Sequence, residues 1–209
     1  NVTDPASSAT VKYGTEEGSY TLDASPTQTE VGEKTVYYQV TADNYTTYTG
    51  SAKVTVNAKQ VQTITADDVT VTYGDTGKSI EASTTGDGTL SYAVKSGSEN
   101  YISVDASTGA LTIKKVGTAT VTVTAAETDG YAAATKDVTV TINKKAVTIK
   151  AKDQSIYVGG TVPTLGADSY TVTGLLVTDT LATNPTLAYS STPDNTKAGS
   201  YTITPSGAV

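Results

Sequence analysis

Apolar and polar residues alternate strictly along most of the chain. Val36, Tyr38 and Val40 fall on one side of an extended segment, and Tyr37, Gln39 and Thr41 on the other. Ala119, Val121, Val123 and Ala125 alternate with threonine in the same way, as do Leu90, Tyr92 and Val94 with their neighbours. The pattern returns at Ile102 and Val104, Leu111 and Ile113, Val138, Val140 and Ile142, Val147, Ile149 and Ala151, and Tyr201 and Ile203. A period of two is that of β-strands. A slip of one residue would turn each apolar set to solvent, so the pattern fixes which face is buried. The other face is mostly Thr, Ser, Lys and Gln, as expected of antiparallel sheets wetted on one side. No segment carries an apolar stripe at helical spacing over three turns.

Turn residues punctuate these segments. Asp87-Gly88, between Ile80–Ser83 and Leu90–Val94, predicts a tight hairpin with positive φ. In Asp105-Ala106-Ser107-Thr108-Gly109 the aspartate is placed to accept from the turn's own amides, and Gly109 to adopt the left-handed conformation. Turns every ~8–12 residues without intervening helices indicate a sandwich or barrel. The predicted fold is all-β, a tandem of small antiparallel, immunoglobulin-like β-sandwich modules.

The segments also repeat. Val31-Gly32-Glu33-Lys34-Thr35-Val36 answers to Val116-Gly117-Thr118-Ala119-Thr120-Val121. Each is followed by a tyrosine (Tyr45, Tyr131) after Asp43-Asn44 or Asp129-Gly130, and then by a closing strand, Lys53–Asn57 or Val138–Asn143. A third start stands at Ala198-Gly199-Ser200-Tyr201-Thr202-Ile203. Self-similarity of this kind marks an array of modules. The predicted boundaries give 1–57, 58–143 and 144–209, with no long Gly/Ser or Pro-rich linker, so neighbours should abut. The middle module reads as whole. The first reads as lacking an opening strand, of which Asn1-Val2-Thr3 would be the tail, and the third as lacking its last strand or two. The chain is therefore expected to be a piece of a longer protein, with open strand edges through which copies pair as dimers.

Composition narrows the function. The net charge is -7, and there is no His, Cys, Phe, Met or Trp. An acidic chain is a poor partner for nucleic acid, where Lys and Arg contacts to phosphate supply most of the affinity, and for anionic lipid headgroups. No apolar run is long enough to cross a bilayer, and no signal peptide or lipidation motif is visible. Absence of Cys fits either a cytosolic protein or a Gram-positive exported protein without disulfides.

Two stretches carry a family resemblance. Tyr101-Ile102-Ser103-Val104-Asp105-Ala106-Ser107-Thr108-Gly109-Ala110-Leu111-Thr112, followed by Val116–Val121, resembles bacterial immunoglobulin-like domains of group 2, the intimin/invasin type. Ala146–Ser155 with Tyr170-Thr171-Val172-Thr173-Gly174-Leu175 resembles the MBG repeats of bacterial surface proteins. The first module is similar to repeats in large cell-wall proteins of Firmicutes. One departure stands out: Tyr157-Val158-Gly159-Gly160 replaces the compact Tyr-Gly turn of MBG repeats and predicts a longer hairpin. The resemblance implies an extracellular stalk or adhesin segment, secreted or attached to a Gram-positive cell wall. It carries over no functional residue.

Candidate chemistry is sparse. Without His or Cys, Ser–His and Cys–His pairs cannot be built, nor can imidazole or thiolate metal sites. A Ser–Lys dyad or a carboxylate pair stays formally open, but Asp67-Asp68 and Glu16-Glu17 are sequence neighbours, which on a strand point to opposite faces. Gly74-Asp75-Thr76-Gly77-Lys78-Ser79 has the residues of a phosphate loop but has Thr72 where the motif needs glycine, and a strand rather than a helix follows. Asp43-Asn44 and Asp194-Asn195 offer oxygens to calcium without EF-hand spacing. Tyr45 and Tyr131 are expected to cap the end of a core. Tyr13, Tyr20, Tyr37 and Tyr48 are a denser set and form the candidate binding face, for a glycan or a protein of the host or the cell wall. A Lys–Asn isopeptide bond would need both residues beside an acid in an apolar interior, whereas the lysines lie mainly at turns and junctions.

The expected function is a non-catalytic spacer, with modules of ~35 Å and an array of ~100 Å at ~3.3 Å per strand residue. No catalytic residue, cofactor or metal is assigned. The alternatives are a glycan- or protein-binding adhesin module, and an accessory region of a larger extracellular carbohydrate-active enzyme.

Overall fold

A computed structural model describes residues 9–208; the Asn1-Val2-Thr3 segment lies outside them. Backbone contacts divide the chain into two compact units, Asn1–Gln62 with Glu127–Ala133, and Thr63–Ala126 with Ala134–Val209.

In the first unit the alternating segments form β1 (Thr10–Gly14), β2 (Gly32–Thr41) and β3 (Tyr48–Val56), an antiparallel sheet in the order β1-β2-β3. Register decides the faces. Tyr13 stands opposite Tyr38, and Tyr38 opposite Gly50; Val11, Val40 and Tyr48 form the next row, and Val36 faces Ala52. These residues share one face. Lys12, Gln39 and Thr49 share the other with Tyr37 and Ser51. Leu22 exchanges backbone bonds with Tyr13 (2.8 and 2.9 Å) and extends the apolar row past β1. Val36 is the buried apolar residue of this sheet.

In the second unit, β4 (Ile64–Ala66), β5 (Val69–Thr72), β6 (Lys78–Ser79), β7 (Ala82–Thr84), β8 (Leu90–Val94), β9 (Ile102–Val104), β10 (Ala110–Ile113), β11 (Gly117–Ala125) and β12 (Ala134–Asn143) build a sandwich. One layer is the four-stranded sheet β5-β12-β11-β8, and against it stand β6-β10-β9 and the pair β4-β7. The inward residues of both layers make one core, with Ile80, Ile102, Val121, Val123, Val138 and Val140 at 0–1% exposure. The period-two pattern therefore places the inward face of β11 and β12 correctly: Ala119, Val121, Val123, Ala125, Val138, Val140 and Ile142 are all buried.

The sandwich is not wholly antiparallel. β5 runs parallel to β12, from Val69 opposite Val140 to Thr72 opposite Asn143. Nor is Asp87-Gly88 a hairpin. β7 pairs with β4 and β8 with β11, so residues 85–89 cross from one layer to the other. Two strands in different sheets need no tight turn, and Gly88 is buried without positive φ. The Asp105 turn is as expected: Gly109 has φ 71°, and Asp105 accepts from the amides of Ser107 (3.0 Å) and Thr108 (2.8 Å).

The repeat read from sequence is a repeat of structure. Gly32 opens β2 opposite Val56 and Gly117 opens β11 opposite Ile142, with φ of 138° and 145°. β1 lies on β2 as β8 lies on β11, and Tyr13 thereby corresponds to Tyr92.

The same unit continues into β13 (Thr148–Ala151), a 3-10 turn at Ala167–Ser169, β14 (Tyr170–Thr173), β15 (Thr186–Tyr189) and β16 (Ile203–Ser206). β13 pairs with β14 and β15 with β16, both antiparallel. β13 begins one residue after Val147, which is 39% exposed. Tyr157–Gly160 closes as a four-residue turn, with the Gly160 amide donating to the Tyr157 carbonyl at 2.9 Å. Its flanks do not pair, so the longer hairpin expected there does not form. Tyr73 donates its hydroxyl to Asp179 (3.4 Å), and Leu176 packs against Gly74, which ties this segment to the sandwich.

Candidate functional site

The four tyrosines picked out as a binding face do not share one. Tyr13 and Tyr48 lie on the apolar face of the first sheet, Tyr37 on the opposite face, and Tyr20 is half-buried in the connection after β1. The tyrosine that joins Tyr13 and Tyr48 is Tyr38, whose ring stands 6.3 Å from that of Tyr48 at 39°. Its ring also covers Gly50: a Cβ there would sit 2.6 Å from the Tyr38 hydroxyl oxygen. A large ring over a glycine of an edge strand restores the packing the glycine lacks. Tyr13 corresponds to Tyr92, which is 8% exposed in the core of the sandwich. Its face is therefore the one that packs inward in the sister repeat. Register reassigns the set, because neighbours such as Tyr37 and Tyr38 cannot face the same way.

Tyr45 is 65% exposed and caps nothing, since Asn44 before it turns left-handed (φ 67°) and swings the loop outward. Tyr131 is half-buried, in a segment held by backbone bonds from Gln60 to Gly130 (2.8 Å) and from Ala132 to Gln60 (2.9 Å).

The acidic loops are self-satisfied. Asp194 accepts from the Thr196 hydroxyl (2.6 Å) and amide (3.0 Å) and pairs with Lys197 (3.2 Å). Those bonds, the Thr196 hydroxyl first, hold its carboxyl below the usual range. Asp105 is held lower still, chiefly by the hydroxyl of Ser107 and then by Thr108. Asp137 is lowered by Lys95 and by the Thr122 hydroxyl. Each of these carboxylates is locked as an anion by its own turn or strand neighbours, a poor starting point for proton transfer. Asp68 accepts from the Thr139 amide (2.7 Å). Gly74 and Gly77 shape a β-turn (φ 88° and 66°) that leads into β6, with Asp75 accepting from the Thr72 amide (3.0 Å). Among the described residues no group of three or more acidic side chains gathers as a metal site. None of the lysines is buried, so the apolar setting of a Lys–Asn cross-link is missing around them.

The feature sequence reading missed is a cleft of about 840 Å³ beside β13, β15 and β16, lined among others by Ile156, Val158, Tyr189, Asp194, Tyr201 and Ile203. Of its two acids, Asp194 is committed to Thr196 and Lys197 as above, and Asp153 is exposed. Alternation gives no signal for it, since Ile156, Tyr157 and Val158, which are exposed there, stand in a row.

Residues 147–209 match the family model of the MBG domain (YGX type). No curated protein matches the chain. Among solved structures, Drosophila N-cadherin EC1-3 is 14% identical with a TM-score of 0.32, over 68% of this chain and 58% of that one. Human mucin-like protocadherin EC1-2 is 14% identical with a TM-score of 0.31, over 69% and 90%. Protocadherin gammaB7 EC3-6 is 14% identical with a TM-score of 0.32, over 77% and 44%. Likeness of that degree decides nothing about activity or partners.

Proposed function

We propose that the chain is a non-catalytic, tension-transmitting segment of an extracellular bacterial protein, built from three modules, 1–57, 58–143 and 144–209. The observation that carries this reading is the parallel ladder between β5 and β12. β5 is the second strand of the middle module and β12 the last. Because they run parallel, the chain enters the ladder at one end and leaves it at the other. Tension along the chain therefore shears its hydrogen bonds together instead of unzipping them singly. The sandwich core beneath lies sealed between the points of attachment. The match of 147–209 to the MBG domain supports a place outside the cell, and the shared strand pair of the first and middle modules supports a serial role.

Single-molecule force spectroscopy on the whole chain tests it. One dominant rupture is expected, releasing roughly 270 Å for Val69 to Asn143 at ~3.6 Å per extended residue. Tyr73→Pro, which removes the amide that donates to the Asn143 carbonyl (2.9 Å) at the end of the ladder, should lower that rupture force while leaving the other extensions in place. A chain that lengthens without a discrete rupture of that size overturns the reading.

A further inference from the structure

Aspartate is followed by glycine twice in the chain, at Asp87-Gly88 and at Asp129-Gly130. In this dipeptide the glycine nitrogen can reach the aspartate carboxyl, because glycine brings no Cβ into the way and leaves the backbone free to turn. The fold treats the two pairs differently. Residues 85–89 cross between the layers of the sandwich and Gly88 is buried, so packing holds its nitrogen in place. Asp129 and Gly130 are both exposed. They form the tip of a loop closed by its flanking residues: the Thr128 amide donates to the Tyr131 carbonyl (3.0 Å), and the Tyr131 amide to the Thr128 hydroxyl (3.2 Å). A Cβ on Gly130 would meet nothing within 4 Å. Among the described residues no group donates to the Asp129 carboxylate, and the Gly130 amide donates to none.

The same loop holds the segment that follows β3. Gln60 forms a parallel bridge with Tyr131; its amide donates to the Gly130 carbonyl (2.8 Å) and its carbonyl accepts from the Ala132 amide (2.9 Å). The buried Gln62 side chain donates to the Ala132 carbonyl (2.8 Å), and Lys59 pairs with Glu127 (2.5 Å). Gly130 is thus a residue whose nitrogen is free to react and whose carbonyl is in use.

We propose that Asp129-Gly130 is a site of spontaneous succinimide formation and isoaspartate conversion, and that the conversion releases Gln60 from the loop. The Gly130 nitrogen attacks the Asp129 Cγ. The new N–Cγ bond closes a five-membered imide, the amide proton is lost, and a carboxyl oxygen leaves as water. Water then returns at one of the two imide carbonyls. Addition at Cγ restores aspartate. Addition at the main-chain carbonyl breaks its bond to the Gly130 nitrogen, and the chain then runs through Cβ and Cγ, with the old main-chain carbonyl left as the free carboxylate. One water is lost and one regained, and no other reactant takes part. The main chain gains one C–C bond, about 1.5 Å long. That is enough to carry the Gly130 carbonyl out of the 2.8 Å reach of the Gln60 amide, since a hydrogen bond does not survive such a displacement.

The test is to age the full chain for weeks at neutral pH and map isoaspartate by electron-transfer fragmentation of its peptides. IsoAsp129 should accumulate to several times the level at Asp87, through a species lighter by one water. Gly130→Ala, for which there is room and no positive φ to strain, should slow it several-fold. Hydrogen exchange at the Gln60 and Ala132 amides should speed up in the aged native chain, not in the aged variant, while exchange in β11 and β12 stays as before. Isoaspartate no more abundant at Asp129 than at Asp87, or formed as fast in Gly130→Ala, overturns the site. Conversion at Asp129 with unchanged exchange at Gln60 overturns the release.

Discussion

Gly32 and Gly117 occupy the same place in the two repeats and adopt the same unusual backbone, φ 138° and 145°. Their surroundings differ. A Cβ on Gly117 would lie 2.4 Å from the Tyr101 ring, whereas one on Gly32 would meet nothing nearer than the Gln28 side chain at 4.0 Å. Alanine at Gly32 should therefore cost only the backbone strain, about 1–3 kcal/mol. Gly117→Ala should cost that and a displaced ring, and so destabilise the more, as denaturant midpoints of the two variants would show. Asp105 makes a prediction of the opposite kind, set by pH. Its carboxyl sits below its ordinary value of 3.8 because the turn hydroxyls and amides bond the anion. A depressed acid stabilises the fold fully above the unfolded value and loses that contribution as pH falls below it. Urea midpoints of the native chain should therefore drop between about pH 4 and pH 2. Asp105→Ala should be less stable at neutral pH and show a shallower fall; an unchanged slope would mean that the turn gives the fold nothing.

At the scale of elements, alternation was sufficient wherever a strand buries one face. Ala119, Val121, Val123 and Ala125 could be placed inward from sequence because a pleated strand leaves no other arrangement once one face is dry. What alternation does not carry is the choice of partner. Asp87-Gly88 has the residues of a hairpin turn, yet the strands on either side belong to different layers, and the choice is made by the core that Ile80 and Tyr92 enter, residues distant from the turn. The parallel placement of β5 on β12 was equally hidden, since four residues with the pattern of Val69–Thr72 fit an edge in either direction. The tyrosine face failed for a simpler reason. Tyr37 and Tyr38 are both aromatic, and counting aromatics without assigning faces chooses the wrong one. The cleft was not legible: Ile156, Tyr157 and Val158 are three apolar residues in a row, which alternation assigns to no single face, and only the fold places them beside Tyr189 and Ile203.

For the whole molecule, the distribution of buried apolar residues matters more than their number. Among the described residues, Val36 belongs to the first sheet, and the other buried aliphatic and aromatic side chains lie between Ile64 and Ile142. A three-stranded sheet with so little dry surface is close to the limit of independent stability. The ion pairs do not compensate. Lys53–Glu33 and Lys59–Glu127, at 3.0 and 2.5 Å, are both well exposed, and such pairs contribute about 0–1 kcal/mol each. Heating should therefore melt the chain in two steps, the unit containing β1–β3 first and the sandwich second. Ile102, at 0% exposure in the sandwich, separates the two. Ile102→Ala should cost about 2–5 kcal/mol and lower the upper transition alone, leaving the lower one unmoved in a calorimetric scan. If a single transition shifts as a whole, the two units fold as one cooperative body, and the modules cannot then yield one by one under load.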